Sequence, residues 1–323
     1  MNHQTNFGST LSLNEELAPI FIALAKQAGN APVPEKGDWQ STRERGNAAM
    51  DAWNGLIPNF DDVVRTTYSS TSQDNTAIEL RWYSRENGRS SAAVLYVHGG
   101  GMILGDINRY DNLVAGYVSN TGVSFLAVQY RLAPEVKGEK PAQDVLSALI
   151  WLRENAQKLH VDINRIAIMG DSAGGGIAAG TAILARRCGI YLKQQLLIYP
   201  MLDDRNTEPN SLLQPFATWT YDNNYTGWKA LLGDDMGKDE VTSVVAPARL
   251  EDFRGLPPAY IEVGDLDIFR DEDVRYAHQL LSAGVPVELH VLRGVPHGFD
   301  RFAPDISISK MAIGNRIRVI NAL

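Results

Sequence analysis

Short apolar runs alternate with helical stretches over most of this chain, and this alternation constrains its fold more than any other feature. The runs lie at 92–97, 123–128, 166–169, 195–199, 259–263 and 287–292. Stretches with helical periodicity follow at 110–119, 142–154, 173–187, 271–283 and 306–322. Because a continuously apolar strand is buried on both faces, the pattern predicts an α/β fold with a mostly parallel sheet between two layers of helices.

Two segments fall outside the alternation, and we interpret both as parts of a cap over one end of the sheet. Residues 1–57 are mainly helical by their periodicity, and residues 203–246 form an insertion rich in Trp and Tyr. The remainder of 58–323 is the main domain. It begins with two predicted strands, 63–70 and 77–83, whose partial alternation of apolar and polar residues indicates an antiparallel pair.

Charge and composition exclude several classes of partner. The formal net charge is −8 and no cluster of Lys and Arg forms a basic stripe, so neither nucleic acid nor a membrane surface is an expected partner. The single cysteine, Cys188, allows no internal disulfide. Residues 1–10 show no signal-peptide pattern, and no stretch approaches about 18 consecutive apolar residues. We therefore expect a cytoplasmic protein without a membrane span.

The segment Gly170-Asp171-Ser172-Ala173-Gly174 lies between a predicted strand and a predicted helix. A nucleophilic serine at such a turn adopts a strained backbone, and small neighbours let strand and helix approach each other. Gly175 extends the small-residue run. The helix amino terminus also directs N–H groups and the positive end of a dipole toward the hydroxyl. A structural glycine turn or a phosphate loop would share the pattern, but the Lys of a phosphate loop is absent.

A second glycine-rich loop, His98-Gly99-Gly100-Gly101, follows the apolar run at 92–97. Acyl transfer requires N–H donors directed at an oxyanion, and consecutive glycines let the main chain supply them without side-chain obstruction. A flexible turn would explain these glycines equally well if they stood alone. One strand-helix-strand unit upstream of a serine turn, they favour an oxyanion loop.

A base and an acid are expected downstream of Ser172. His297 lies in a loop after the last predicted strand, where an open sheet carries its site. The strand at 259–263 is followed by Asp265 and Asp267, and either carboxylate could orient a histidine. The chain order Ser, Asp, His is the order found on α/β-hydrolase sheets.

At this point the sequence resembles the bacterial hormone-sensitive-lipase family (family IV) of carboxylesterases, over roughly residues 90–300. The matching motifs are His98-Gly-Gly-Gly101, Tyr130-Arg131-Leu132-Ala133-Pro134-Glu135, Gly170-Asp171-Ser172-Ala173-Gly174-Gly175, Tyr199-Pro200-Met201-Leu202-Asp203, Asp267 with Asp271-Glu272, and His297-Gly298-Phe299. The resemblance implies an α/β-hydrolase fold with an eight-stranded, mostly parallel sheet and a helical cap. One departure is Ile268-Phe269, where the family usually has Pro-Leu after the acid.

The resemblance also implies a set of roles. Ser172 becomes the nucleophile, Asp267 the acid and His297 the base, and the N–H groups of Gly100, Gly101 and Ala173 become the oxyanion donors. His98, Gly99, Gly170, Asp171, Gly174 and Gly175 shape the two loops. The implied reaction is hydrolysis of short-chain acyl esters of small molecules through an acyl-enzyme.

Several alternatives remain open at this stage. The same serine chemistry could act on another acyl bond, as in a deacetylase, a lactonase or an amidase. A non-catalytic receptor is disfavoured because His297 is present. No His-Glu-x-x-His motif or His/Cys cluster with ligand spacing occurs, so neither a metal nor an organic cofactor is expected.

Two further expectations concern surfaces. The insertion contains four aromatic residues that either line the substrate pocket or pack the cap on the sheet, with no preference from the sequence. They are Trp219, Tyr221, Tyr225 and Trp228. Related enzymes often form homodimers through the edge strand of the sheet, which here would be 287–292.

Overall fold

An eight-stranded sheet forms the centre of the computed structural model, which describes residues 11–29, 32–86, 88 and 90–323. The strands are β1 Val63–Thr71, β2 Ala77–Arg85, β3 Ala93–Val97, β4 Ser124–Val128, β5 Ile166–Asp171, β6 Gln194–Ile198, β7 Ala259–Gly264 and β8 Val287–Leu292. Their order in the sheet is β1-β2-β4-β3-β5-β6-β7-β8. β1 and β2 pair antiparallel, β2 also pairs antiparallel with β4, and the other neighbours are parallel. The predicted α/β-hydrolase sheet is confirmed.

Helices cover the sheet as the alternation predicts. They are α1 Leu17–Ala28, α2 Trp39–Asn54, α3 Asp111–Thr121, α4 Lys140–Glu154, α5 Ala173–Arg187, α6 Tyr221–Leu232, α7 Arg270–Ser282, α8 Phe299–Phe302 and α9 Ser307–Asn321. α3 packs against α9, and α4 packs against α5. The strands between these layers, β3, β5 and β7, are buried along their whole length, which explains their continuously apolar sequence.

Some boundaries differ from the sequence prediction, and the reasons are local. α4 begins at Lys140 rather than 142 because Pro141 stands in its first turn, where a missing N–H is tolerated. β1 and β2 extend beyond the predicted 70 and 83, since their pairing continues from Thr71 opposite Ala77 to Val63 opposite Arg85.

The register of the central strands brings the two glycine-rich segments together. β3 and β5 are neighbours, and Val97 lies opposite Gly170. The loop after β3 and the turn after β5 therefore leave the same edge of the sheet side by side. β7 and β8 end together as well, with Gly264 opposite Leu292. This edge carries every candidate functional loop.

The segments predicted as a cap contact these loops. In the N-terminal segment, the N–H of Asn14 donates to the carbonyl of Gly294 (2.8 Å), and Asn47 Oδ1 accepts from the N–H of Gly105 (2.9 Å). α2 of this segment also packs against α6 of the insertion. Residues 1–10, 30 and 31 of the predicted cap lie outside the described residues. The division into cap and main domain stays a prediction.

Candidate active site

Ser172 lies at a sharp turn between β5 and α5. Its φ of 56° is in the left-handed region, which non-glycine residues rarely adopt. The backbone holds this conformation from both sides, because the Ser172 N–H donates to Ile198 O (2.8 Å) and the Ser172 carbonyl accepts from Met201 N (2.9 Å). The side chain is only 7% exposed. A strained residue held in this way at a strand-to-helix turn has the geometry of a nucleophile elbow.

Glycine is required around this turn because the chain passes too close for any side chain. A Cβ on Gly174 would lie 2.2 Å from the carbonyl oxygen of Val97 and 2.4 Å from that of His98. The predicted neighbours Gly99, Gly170 and Gly175 are similarly enclosed. Helix α5 can therefore approach the end of β3 closely, which places the glycine loop against the serine.

A continuous chain of hydrogen bonds connects Ser172 with two residues from distant parts of the sequence. His297 Nε2 lies 2.8 Å from Ser172 Oγ, and His297 Nδ1 lies 2.7 Å from Asp267 Oδ2. Asp267 is 1% exposed, and its Oδ1 accepts from the N–H of Phe269 (3.0 Å). A carboxylate on Nδ1 fixes the imidazole tautomer that leaves Nε2 free to accept the serine proton.

The structure separates the two aspartates that the residues alone left as alternatives. Asp267 faces His297, whereas Asp265 Oδ1 accepts from the N–H of Gly294 (2.6 Å) and so shapes the loop that leads to the histidine. Ile268-Phe269, which departs from the family pattern, does not disturb the bond between Asp267 and His297. Instead, the Phe269 ring stands nearly perpendicular to the imidazole, with 5.0 Å between ring centroids.

The glycine loop offers main-chain donors beside the serine. Gly100 and Gly101 have φ values of 124° and 56°, a conformation that favours glycine. A Cβ on Gly99 would lie 3.3 Å from the Cβ of Ser172, so the loop is in contact with the turn. Within the described part of the chain, no acceptor binds the N–H groups of Gly100, Gly101 or Ala173. These groups can therefore donate to a bound oxygen.

His98 shapes this loop as a neutral residue. It is fully buried, stacks on Tyr130 with 4.3 Å between ring centroids, and has Nδ1 2.8 Å from the carbonyl of Gly99. Burial lowers the pKa of His98 to about 4. A neutral imidazole with its proton on Nδ1 donates to Gly99, which favours a structural role over a catalytic one.

Comparisons with known proteins agree with this geometry. A family model described as the alpha/beta hydrolase fold matches residues 94–301. Esterase LipI of Mycobacterium tuberculosis is 34% identical over 218 residues, covering 65% of this chain and 66% of that protein. Ethyl acetate hydrolase of Pseudomonas putida is 31% identical over 260 residues, covering 79% of this chain and 80% of that protein. The chain belongs to the family described as the alpha/beta hydrolase fold.

Solved structures extend the comparison to nearly the whole chain. A bacterial heroin esterase superposes with a TM-score of 0.87 at 31% identity, covering 96% of this chain and 98% of that one. A hyperthermophilic esterase from the archaeon Pyrobaculum calidifontis gives 0.84 at 29% identity, covering 97% and 99%. The protein is an α/β-hydrolase of the hormone-sensitive-lipase group, and its reaction class is carboxylic ester hydrolysis.

The four aromatic residues of the insertion occupy different environments in this hydrolase. Trp219 lies over the glycine loop, where its ring would be 2.3 Å from a Cβ on Gly101. Tyr221 lines a polar cavity of about 480 Å³ that also includes Asp203, Asp271 and Arg275. The two remaining residues have other surroundings: Trp228 is fully buried in the core, and the Tyr225 ring lies under the Lys36 ammonium at 4.4 Å. Trp219 therefore contacts the glycine loop directly.

Two residues of the insertion make contacts that were not visible in the sequence. Thr218 Oγ1 donates to the carbonyl of His297 (2.6 Å), and the Asn206 amide donates to the carbonyl of Ile268 (2.9 Å) and to Glu272 Oε2 (2.8 Å). A single threonine or asparagine has no pattern that would reveal such partners. For Glu272 the sequence did give an indication, since the Asp271-Glu272 pair is one of the motifs that match the family.

No group of three or more His, Cys, Asp or Glu side chains suited to a metal occurs among residues 11–29, 32–86, 88 and 90–323. In the same ranges, no helix combines the length and the apolar character needed to cross a bilayer.

Proposed function

We propose that this protein is a serine carboxylesterase that hydrolyses short-chain acyl esters through an acyl-enzyme on Ser172. The observation that carries the proposal is the unbroken hydrogen-bond chain from Ser172 Oγ through His297 to Asp267, with bonds of 2.8 and 2.7 Å. Distances in this range are those at which a base removes the proton of a nucleophile.

Acylation begins when Ser172 Oγ attacks the ester carbonyl carbon and His297 Nε2 takes the hydroxyl proton. Asp267 stabilises the imidazolium that forms, and the carbonyl oxygen becomes an oxyanion. The N–H groups of Gly100, Gly101 and Ala173 donate to that oxygen. Collapse of the tetrahedral intermediate breaks the ester C–O bond, and the alcohol leaves with the proton from His297.

Deacylation repeats the sequence with water as the nucleophile. His297 Nε2 takes a proton from water, the hydroxide attacks the acyl carbon, and the same three N–H groups stabilise the second oxyanion. When this intermediate collapses, Ser172 Oγ regains a proton from His297. The products are one carboxylic acid and one alcohol, and the chain is restored without a metal or cofactor.

The restriction to short acyl groups is supported by the crowding around Gly101. The Trp219 ring lies against this glycine, and a Cβ on Gly227 of α6 would lie 2.5 Å from the Gly101 carbonyl oxygen. Within the predicted cap, the insertion at 203–246 therefore limits the space beside the proposed oxyanion donors. The name of the relative ethyl acetate hydrolase refers to an ester with a two-carbon acyl group.

The proposal is tested by combining covalent labelling with Ser172→Ala. An organophosphate should add one phosphoryl group to the wild-type chain and none to the variant, as read from intact mass. The kcat for 4-nitrophenyl acetate should fall by about 10⁶ in Ser172→Ala. Ser147→Ala is the matched control, since Ser147 is similarly buried but lies on α4 and donates only to Gln143 O.

A panel of nitrophenyl esters from two to twelve carbons, run beside an anilide and a lactone, then tests the substrate class. We expect the highest kcat/KM at two to four carbons and little turnover of the anilide. Near-normal activity of Ser172→Ala would end the proposal. Preference for the anilide or the lactone would retain the serine mechanism and replace the substrate class.

A further inference from the structure

The His297 ring is flanked by two aromatic rings in addition to its two hydrogen bonds. The centroid of Tyr199 lies 4.7 Å from that of the imidazole at an interplanar angle of 67°, and Phe269 lies at 5.0 Å and 88°. Tyr199 is 2% exposed and Phe269 is not exposed at all. Rings packed at such angles in a dense interior restrict rotation of the imidazole away from Ser172.

Tyr199 itself is fixed at both ends. Its N–H donates to the carbonyl of Glu262 (2.6 Å), and its hydroxyl donates to Asp300 Oδ1 (2.9 Å). Its φ of 36° lies in the left-handed region, which a bulky side chain adopts only when the surroundings over-determine it. Such strain at a residue in contact with the base indicates that the position of this ring matters.

Asp300 connects Tyr199 to the last helix. It lies in α8, three residues after His297, and its Oδ2 accepts from Arg316 Nη1 of α9 (2.6 Å). Arg316 is fully buried and also donates to Glu262 Oε1 and to the hydroxyl of Tyr117 (3.0 Å). Burial raises the pKa of Asp300, but Arg316, the Tyr199 hydroxyl and Arg301 together leave that pKa below its ordinary value. A fully paired, buried ion pair of this kind is rigid, because separating the charges leaves each unsatisfied.

We propose that Tyr199 is a positioning residue for His297, and that the buried Asp300–Arg316 pair holds Tyr199 so that helix α9 fixes the orientation of the base. This inference rests on the proposed role of His297. It assigns a function to the buried polar cluster formed by Tyr117, Tyr199, Glu262, Asp300 and Arg316.

The test compares Tyr199→Phe with Tyr117→Phe. Each variant removes one hydroxyl from the same cluster and keeps its ring. The Tyr199 ring packs against His297, whereas the Tyr117 ring stacks on Phe125 with 5.7 Å between centroids. Because small displacements of a catalytic group have large effects on rate, we expect kcat for 4-nitrophenyl acetate to fall about tenfold in Tyr199→Phe with little change in KM. Tyr117→Phe should stay within about twofold of wild type.

A comparison of kcat with the melting temperature distinguishes positioning from a general loss of stability. Each variant removes one hydroxyl from the buried cluster, so both melting temperatures should fall by similar, small amounts. Only in Tyr199→Phe should this fall be accompanied by the loss of kcat at unchanged KM. Equal losses of kcat in both variants would overturn the inference.

The inference and the proposed function fail in different ways. If Ser172→Ala is inactive and the organophosphate labels the wild type, but Tyr199→Phe has wild-type kcat, only the positioning role is wrong. If Ser172→Ala retains activity, the proposed function is wrong whatever Tyr199→Phe does.

Phe269→Leu, which restores the residue usual for the family, should lower kcat less than Tyr199→Phe, because the Phe269 ring forms no hydrogen bond that the substitution would remove.

Discussion

Ser172 Oγ and His297 Nε2 lie 2.8 Å apart, yet the turn and the loop that carry them are fixed in opposite ways. Backbone sterics fix Ser172, since glycines without room for a Cβ surround it and main-chain hydrogen bonds hold its strained φ. Side chains from distant segments fix His297. Asp267 binds its Nδ1, Thr218 binds its carbonyl, and Tyr199 packs against its ring.

This difference predicts different sensitivities to substitution. At the serine turn an added methyl group would clash with backbone atoms. The loss of activity should therefore be large, and the stability of the fold should fall as well. At the histidine loop the contacts come from several different side chains, so the effects should differ from partner to partner and should affect catalysis more than stability.

After the loss of the Ser172 hydroxyl itself, the largest effect is expected for Gly174→Ala. The new Cβ would lie 2.2 and 2.4 Å from two backbone carbonyl oxygens, which cannot move without displacing the end of β3. Activity should fall by on the order of 10⁵, close to the loss of the nucleophile itself, and the melting temperature should drop. Gly314→Ala is the control, because Gly314 lies in α9 with no atom within 4 Å of its added Cβ. Alanine there should stabilise the helix by up to about 1 kcal/mol. A Gly174→Ala enzyme with normal kcat and melting temperature would contradict the steric account.

The next effect concerns Asp267→Asn compared with Asp265→Asn. An amide at position 267 favours the wrong imidazole tautomer, so kcat should fall by about 10⁴ while the chain stays folded. Asparagine at 265 still offers an oxygen to the N–H of Gly294, so kcat should change by less than about threefold. Steady-state kinetics with circular dichroism measure both. A larger loss in Asp265→Asn would assign the acid to the other aspartate.

The same contrast explains how much could be predicted from the sequence. The serine turn depends on residues adjacent in the chain, so Gly170-Asp171-Ser172-Ala173-Gly174 between an apolar run and a helix was sufficient to predict it. The sheet was predicted in the same way, from apolar runs of four to six residues. The partners of His297 come from positions 199, 218 and 267, and their proximity depends on the tertiary fold. Chain order left Asp265 and Asp267 as alternatives, and nothing in the sequence indicated Thr218.

A smaller effect is expected where the insertion meets the glycine loop. Trp219→Ala removes a ring in contact with Gly101, so room opens beside the oxyanion donors. The ratio of kcat/KM for the eight-carbon ester to that for the two-carbon ester should rise about tenfold, the lower end of what one methylene gains in an apolar pocket, about 1–3 kcal/mol. Tyr225→Ala is the matched control, because the Tyr225 ring lies against Lys36 instead. If both variants shift the ratio equally, the change reflects loosening of the cap rather than the space at Gly101.

The smallest effect concerns Asp171, the buried neighbour of the proposed nucleophile Ser172. Burial raises the pKa of Asp171 from 3.8 to about 6, although Tyr96 donates to its Oδ2. Below about pH 4 the carboxyl is neutral in both folded and unfolded chains. As the pH rises through the window from about 4 to 6, the unfolded chain releases the proton first and the folded state loses stability.

Asp171→Asn should remove this penalty. The gain in unfolding free energy over wild type, measured by urea denaturation, should be on the order of 1 kcal/mol larger at pH 8 than at pH 5. Asp305→Asn, at an exposed aspartate, should change stability equally at both values. A pH-independent difference for Asp171→Asn would mean that the buried carboxyl is already charged at pH 5. The serine turn would then hold a full negative charge beside Ser172, and its conformation would depend on electrostatic stabilisation as well as on sterics.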